Sequence, residues 1–191
     1  MSRFSALLDA CALVPIAQAD TLLRLAEIGL YRPLWSDRLL AETSRALEKI
    51  HPEVAASGTF DRRISAMKDT FNDACVVGWE TLKLSLNLPD PDDNHVVAAA
   101  LLGRADVIVT NNLKDSPDRE LGRFNSSAQR PDEFLLNQLD LAPDRVMRAL
   151  AQQAADMQDP PRTVRDVLDS LERAEANSFA AECRKQLWRA Q

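Results

Sequence analysis

The sequence predicts an α/β fold with a central, mostly parallel sheet, followed by a helical C-terminal extension. Strand-like and helix-like segments alternate over residues 1–139, and parallel strands need crossover connections of this kind. From residue 131 the pattern is helical only, and residues 140–191 are assigned to the extension. The chain has only five glycines among 191 residues and is 46% hydrophobic, which fits a helix-rich protein with a sizeable core.

Three short apolar segments predict the strands. Residues 4–9, FSALLD, end on Asp9, and YRPLWS contains Pro33, which predicts an edge position. Residues 106–110, DVIVT, are β-branched and apolar and predict a fully buried strand. Because sites in parallel sheets gather at the carboxyl ends of the strands, Asp9 and the residues after DVIVT are expected to converge.

Start and stop signals predict the helices between these strands. The first long helix is expected to end near Gly29. Ser36 is a suitable N-cap for the next helix, which should stop before Pro52. On that helix Glu42 lies at the edge of the apolar stripe and is expected to reach inward, whereas Glu48 points the opposite way. A further amphipathic helix is predicted over residues 59–72.

The stretch LPDPDDNHVVAA, residues 88–99, crowds acids at the start of an apolar helix that should end near Gly103. Helix starts attract acids for structural reasons, since Asp90 fits an N-cap and Pro91 fits the first helical position. Asp93, in the first turn, can instead take part in chemistry if the fold brings other acids to the same place.

Composition argues against several classes of function. A net charge of −6 weighs against a protein that coats nucleic acid through a general positive field, although it allows a local basic strip. Three cysteines without CxxC spacing and two distant histidines do not predict a zinc site or a disulfide framework. The N-terminal residues fit neither a secretory signal nor a membrane span, so a cytoplasmic location without membrane contact is expected.

Carboxylates on separate elements predict a divalent cation site. Mg²⁺ prefers oxygen ligands, and divalent cations promote phosphodiester hydrolysis by activating water and stabilising the leaving oxygen. Four acids at strand ends or inward-facing helix positions meet this need: Asp9, Glu42, Asp93 and Asp115. In this arrangement Asp93 is the ligand and Asp90 caps the helix.

Several polar residues near these acids have a structural and a functional interpretation. Arg38, Arg45 and Lys49 flank Glu42 and form either a solvated face with ordinary helix ion pairs or an RNA contact. His95 is expected to be a packed histidine rather than a ligand, and Cys11 a small residue that fills the core.

A family resemblance is carried by LLDACAL, WSDRLLAETSRAL, LPDPDDNHVVAAALLGRADVIVTNNLKD and RPDEFL. In their order and spacing these segments resemble PIN-domain nucleases, specifically the VapC-type toxins of bacterial toxin–antitoxin pairs. The resemblance covers roughly residues 3–139. It implies a three-layer α/β/α sandwich with a parallel sheet, RNA cleavage that depends on Mg²⁺ or Mn²⁺, and a protein antitoxin that blocks the cleft.

The family's metal-binding positions can be carried over one at a time. They fall on Asp9, Glu42, Asp93, Asn112 and Asp115. Asp90 or Asp92 can share the role of the third acid, because three acids stand close together there. Ser116 departs from the family, which tends to have phenylalanine at this position.

The resulting hypothesis is a metal-dependent endoribonuclease that acts as a toxin, with RNA as substrate and a protein antitoxin as partner. Two alternatives stay open: a nuclease of the same fold that acts on DNA or rRNA precursors, and a non-catalytic module that binds nucleic acid or protein. The helical extension is expected to pack on the domain, on the antitoxin, or on a second copy of the chain in a homodimer.

Overall fold

The computed structural model describes residues 4–83, 86, 94–112 and 127–190. Its contacts divide the chain into two compact units. The first unit comprises Met1–Val14 and Arg32–Gln129, and the second comprises Pro15–Tyr31 and Arg130–Gln191. The division predicted from the sequence, into an α/β domain over residues 1–139 and a helical extension over residues 140–191, stays a prediction.

The first unit contains a sheet of four parallel strands in the order β2–β1–β3–β4. The strands are β1 Ser5–Leu8, β2 Arg32–Leu34, β3 Val107–Val109 and β4 Ser127–Gln129. The predicted α/β class and parallel sheet are therefore confirmed, as is the edge position of Pro33, because β2 is an outer strand. The sequence did not predict β4, whose residues SAQ lack the apolar run that marks the other strands.

The described helices follow the sequence signals closely. In chain order they are α1 Ala10–Leu13, α2 Ile16–Glu27, α3 Asp37–Ile50, α4 Pro52–Ala55, α5 Thr59–Thr70, α6 Glu80–Lys83, α7 Asn94–Gly103, α8 Pro131–Leu141, α9 Pro143–Asp156, α10 Val164–Arg173 and α11 Asn177–Lys185. Ser36 caps α3 as predicted, because its hydroxyl accepts from the Leu39 N–H at 3.3 Å. The helix ends at Ile50, two residues before Pro52.

The core of the first unit lies between the central strands and α7. Leu7 on β1 pairs with Leu34 on β2 and with Ile108 on β3, and all three are buried. Helix α7 ends at Gly103 as predicted, and a Cβ at this position would stand 2.7 Å from Val76 Cγ2. Glycine therefore allows the end of α7 to approach the segment that carries Val76.

The second unit is helical and combines α2 with α8–α11. The Tyr31 and Phe134 rings pack edge to face, with their centroids 4.9 Å apart. A buried hydrogen bond joins Thr21 Oγ1 on α2 to Gln153 Oε1 on α9 at 2.8 Å. Within the described residues, no helix combines the length and apolar character needed to cross a membrane.

Candidate active site

Asp9 stands at the carboxyl end of β1, next to the end of β3 in the centre of the sheet. Its backbone N–H donates to the Val109 carbonyl at 3.1 Å, which continues the pairing of the two strands by one residue. Its side chain is half-buried, and Oδ1 accepts from the Ala10 N–H at 2.7 Å, so Asp9 also caps α1. The expected convergence of the β1 and β3 ends is therefore present.

The residues after β3 hold the other oxygen of Asp9. The buried Thr110 hydroxyl donates to Asp9 Oδ2 at 2.7 Å. Thr110 Oγ1 in turn accepts from the Asn112 N–H at 3.0 Å, so the turn after β3 is tied to the acid through one hydroxyl. The Asn112 side chain is exposed at this edge of the sheet, and its predicted role as a weak metal ligand stays a prediction.

Cys11 takes a more specific part in this site than its expected role as core filler. Its thiol donates to Asp9 Oδ2 at 3.1 Å, and its sulfur accepts from the Asn111 N–H at 3.2 Å. Burial, and secondarily the Asp9 carboxylate, raise the pKa of the Cys11 thiol to about 11. At neutral pH the side chain is therefore a protonated donor that helps to orient Asp9.

Glu42 reaches inward from α3, as its place at the edge of the apolar stripe predicts. Its side chain is 28% exposed, and both carboxylate oxygens are engaged. Oε1 accepts from Arg38 Nε at 2.9 Å, one turn earlier on the same helix. Oε2 lies 3.0 Å from His95 Nε2 on α7. The carboxylate is thus held from two separate helices.

The sequence did not predict the contact between Glu42 and His95. It predicted only that His95 is a packed histidine. His95 is buried, with 4% of its surface exposed, and its ring lies 6.0 Å from the Trp79 ring. The signal for a contact was the absence of a polar face on α7, because a histidine inside an apolar helix needs a polar partner. Periodicity cannot show which partner the fold supplies.

The three basic residues predicted to flank Glu42 on α3 differ in their surroundings. Arg38 is engaged with Glu42, so only part of its guanidinium faces solvent. Arg45 is exposed, with its Nε bonded to the Ala41 carbonyl of its own helix at 3.2 Å, and Lys49 is exposed in the last turn. Contact of these three residues with RNA stays a prediction.

The two described acids fit a hard divalent cation by their chemistry. Each oxygen of Glu42 accepts one hydrogen bond and Asp9 Oδ1 accepts one, so each has further acceptor capacity. Oxygen donors are the ligands that Mg²⁺ and Mn²⁺ favour. The remaining candidate ligands, Asp90, Asp93 and Asp115, lie outside the described residues. Within the described part of the chain, no three His, Cys, Asp or Glu side chains form a metal cluster.

Comparison with known families and proteins gives two family matches. Residues 5–114 match the model of the PIN domain, and residues 131–185 match the model of the VapC50 C-terminal domain. The first match contains β1, α3, α7 and β3, which carry the described part of the candidate site. It also confirms the expected PIN-like α/β/α architecture.

A curated relative supports the same assignment. Over 93 residues the chain is 42% identical to a protein of Mycobacterium tuberculosis (strain ATCC 25618 / H37Rv) named "Putative ribonuclease VapC50". The aligned segment is 49% of this chain and 54% of that protein, so the chain spans about half the length of this relative. No solved structure matches. The PIN-domain match extends over more than half of the 191 residues, and the chain therefore belongs to the PIN-domain family.

Proposed function

We propose that this chain is a divalent-metal-dependent endoribonuclease that acts as the VapC-type toxin of a toxin–antitoxin pair. The observation that carries the proposal is the Asp9 carboxylate, fixed at the meeting point of β1 and β3 by Thr110 and Cys11. The PIN-domain match and the relative named as a ribonuclease support this proposal.

The proposed ligands are acids and one amide that we expect at the carboxyl edge of the sheet. They are Asp9, Glu42, Asp93 and Asp115, with Asn112 and Asp90 as supporting ligands. When bound, Mg²⁺ or Mn²⁺ supplies positive charge that lowers the pKa of the attacking water and stabilises the departing oxygen. Hydrolysis then adds water across one P–O bond of the RNA backbone.

The protein's own groups orient the acids and the substrate. Thr110 and Cys11 fix the plane of the Asp9 carboxylate by donating to its Oδ2. Arg45 and Lys49, exposed on α3, are proposed to contact RNA phosphates, and Arg38 is proposed to do so while it remains bonded to Glu42. The proposed partners are a protein antitoxin that blocks the candidate site and a second copy of the chain.

Replacement of single carboxylates tests the proposal. The purified full chain is incubated with tRNA, rRNA and flapped DNA, with Mg²⁺ or with EDTA. Asp9→Asn and Glu42→Gln are expected to reduce RNA cleavage by more than about 100-fold, beyond the 10- to 100-fold losses typical of supporting residues. Asp69→Asn and Glu48→Gln, which change exposed acids of α5 and α3, are the matched controls and should cleave like the wild type.

Further outcomes separate the parts of the proposal. Full Mg²⁺-dependent cleavage by a folded Asp9→Asn variant would remove Asp9 from the mechanism. Preferential cleavage of flapped DNA or of an rRNA precursor would assign a different substrate. Absence of both cleavage and Mn²⁺ binding in calorimetry would leave a non-catalytic binding module. In cells, growth arrest by the wild type but not by Asp9→Asn would support the toxin role.

A further inference from the structure

We propose that His95 is a positioning residue that fixes the orientation of the Glu42 carboxylate. The proposal rests on the nuclease function above, in which Glu42 is a ligand. Its basis is the 3.0 Å contact between His95 Nε2 on α7 and Glu42 Oε2 on α3. The contact joins residues 53 positions apart in the chain, so local helix geometry alone does not produce it.

The chemistry of the two groups fixes the direction of this hydrogen bond. An ionised carboxylate only accepts, so the proton of the bond lies on His95 Nε2, which donates to Glu42 Oε2. Hydrogen bonding of this kind sets both the tautomer and the ring orientation of a histidine. The ring in turn sets the position of the carboxylate that it contacts.

His95 is the more rigid of the two groups that hold Glu42. It is 4% exposed and packs near Trp79, itself a buried side chain. Arg38, the donor to Oε1, has a side chain that is 33% exposed and reaches Glu42 along the surface of α3. A buried ring loses less orientation to thermal motion than a long, partly solvated side chain. We therefore expect His95 to determine the orientation of the Glu42 carboxylate.

A fixed carboxylate matters because a free glutamate has three rotatable side-chain bonds. Holding both oxygens in advance removes the entropy cost of ordering Glu42 when a cation or substrate binds. Replacing a residue that supports a ligand in this way typically lowers metal affinity or activity by 10- to 100-fold. The effect should appear in cation binding and in kcat, while KM for RNA stays nearly constant, because His95 is buried.

The test compares three substitutions of His95. They differ in whether the new side chain carries a hydrogen-bond donor and in where that donor lies. The glutamine amide nitrogen stands the same number of bonds from the backbone as histidine Nε2, so His95→Gln keeps the donor. His95→Asn places its amide at the Nδ1 position, and His95→Leu removes hydrogen bonding while keeping an apolar volume. The control is His51→Leu, since His51 has a side chain that is 40% exposed and lies near Glu53. For each full-length variant, kcat, KM, the Mn²⁺ dissociation constant and the melting temperature are measured.

We expect His95→Leu and His95→Asn to lower kcat and weaken Mn²⁺ binding by about 10- to 100-fold, with KM within about twofold of the wild type. His95→Gln should recover most of both losses, and His51→Leu should match the wild type. A purely structural role would lower the melting temperature without the recovery by glutamine. Equal effects of His95→Leu and His95→Gln, or unchanged Mn²⁺ binding in His95→Leu, would overturn the proposal.

The failure of this proposal can be told apart from failure of the proposed function. RNA cleavage by the wild type with wild-type behaviour in all His95 variants removes the positioning role and leaves the nuclease. Mn²⁺ binding that depends on His95, without RNA cleavage by the wild type, leaves the positioning role and removes the nuclease. A wild type that binds no Mn²⁺ overturns both.

Discussion

At the residue scale, three donors converge on the Asp9 carboxylate: the Ala10 N–H, the Thr110 hydroxyl and the Cys11 thiol. Two of them come from the turn that Asp9 itself begins, and Thr110 comes from the end of a neighbouring strand. The hydrogen bond between Thr110 and Asp9 therefore depends on the correct pairing of β1 with β3, because a shift in register would move Thr110 away from Asp9. The same contacts that complete the local fold hold the carboxylate in one orientation.

Substitution of Thr110 tests how much its hydrogen bond to Asp9 contributes to stability. Thr110→Val keeps the shape of the side chain but removes the donor to Asp9 and the acceptor for the Asn112 N–H. It should lower the free energy of unfolding by about 1–3 kcal/mol, the usual cost of breaking buried polar contacts. Urea unfolding followed by circular dichroism measures the change.

The matched control for Thr110 is another buried threonine, Thr43 on α3. Its hydroxyl donates at 2.9 Å to the Leu39 carbonyl, which is already an acceptor within the helix. Thr43→Val should therefore cost less than about 1 kcal/mol, the typical net value of one hydrogen bond. Losses of equal size in the two variants would show that the Thr110 hydroxyl contributes no more to stability than a hydroxyl bonded within its own helix.

At the scale of elements, the sequence predicts where strands and helices stand better than it predicts their partners. The apolar run of β1 and the cap of α3 are local signals, and both are found. Strand β4 has no such signal because its residues are exposed or half-buried and obtain their structure by pairing with β3. The same holds for the candidate site. The position of Asp9 and the inward direction of Glu42 could be predicted from local sequence pattern. The contacts of Asp9 with Thr110 and of Glu42 with His95 depend on tertiary structure and could not.

Helix α11 allows a prediction of how stability depends on pH. Its Cys183 is fully buried, and burial, then the Glu182 carboxylate, raise the pKa of the thiol to about 12. In the unfolded chain the thiol has its ordinary pKa near 9 and loses its proton first. The stabilisation is thus complete below about pH 9 and is lost progressively as the pH rises toward 12.

Replacement of Cys183 by alanine should reduce this dependence on pH. Between pH 8 and pH 10 the free energy of unfolding of the wild type should fall by about 1 kcal/mol more than that of Cys183→Ala, since one proton is worth about 1.4 kcal/mol per pH unit. Urea unfolding at the two pH values measures both proteins. Parallel losses in wild type and variant would mean that Cys183 ionises as easily in the folded as in the unfolded chain.

At the scale of the whole molecule, α2 belongs with helices that follow it by more than a hundred residues. Gln153 on α9 accepts from the Thr21 hydroxyl at 2.8 Å and donates to the Ala17 carbonyl at 3.1 Å. An amphipathic pattern predicts that α2 buries one face, but it does not identify the surface that covers it. This is why the sequence placed α2 in the α/β part of the chain.

Substitution of Gln153 measures the link between these distant segments. Gln153→Ala removes both hydrogen bonds from a fully buried position and should cost about 1–3 kcal/mol of stability. Gln152→Ala, one residue earlier on the exposed side of α9, should change stability by less than about 0.5 kcal/mol. Thermal unfolding compares the two variants. Similar melting temperatures would contradict a role for Gln153 in holding α2.

The division of the chain also limits how it can be rearranged. The backbone passes from one compact unit to the other three times, after Val14, after Tyr31 and after Gln129. A single break, whether by a protease or at a gene fusion junction, therefore cannot separate the two units cleanly, because even a break after Gln129 leaves α2 attached to the first unit. An exchange of the C-terminal helices between homologous genes would have to include α2 as well, or the new helices would have to fit the existing α2. The two units are therefore expected to be inherited together.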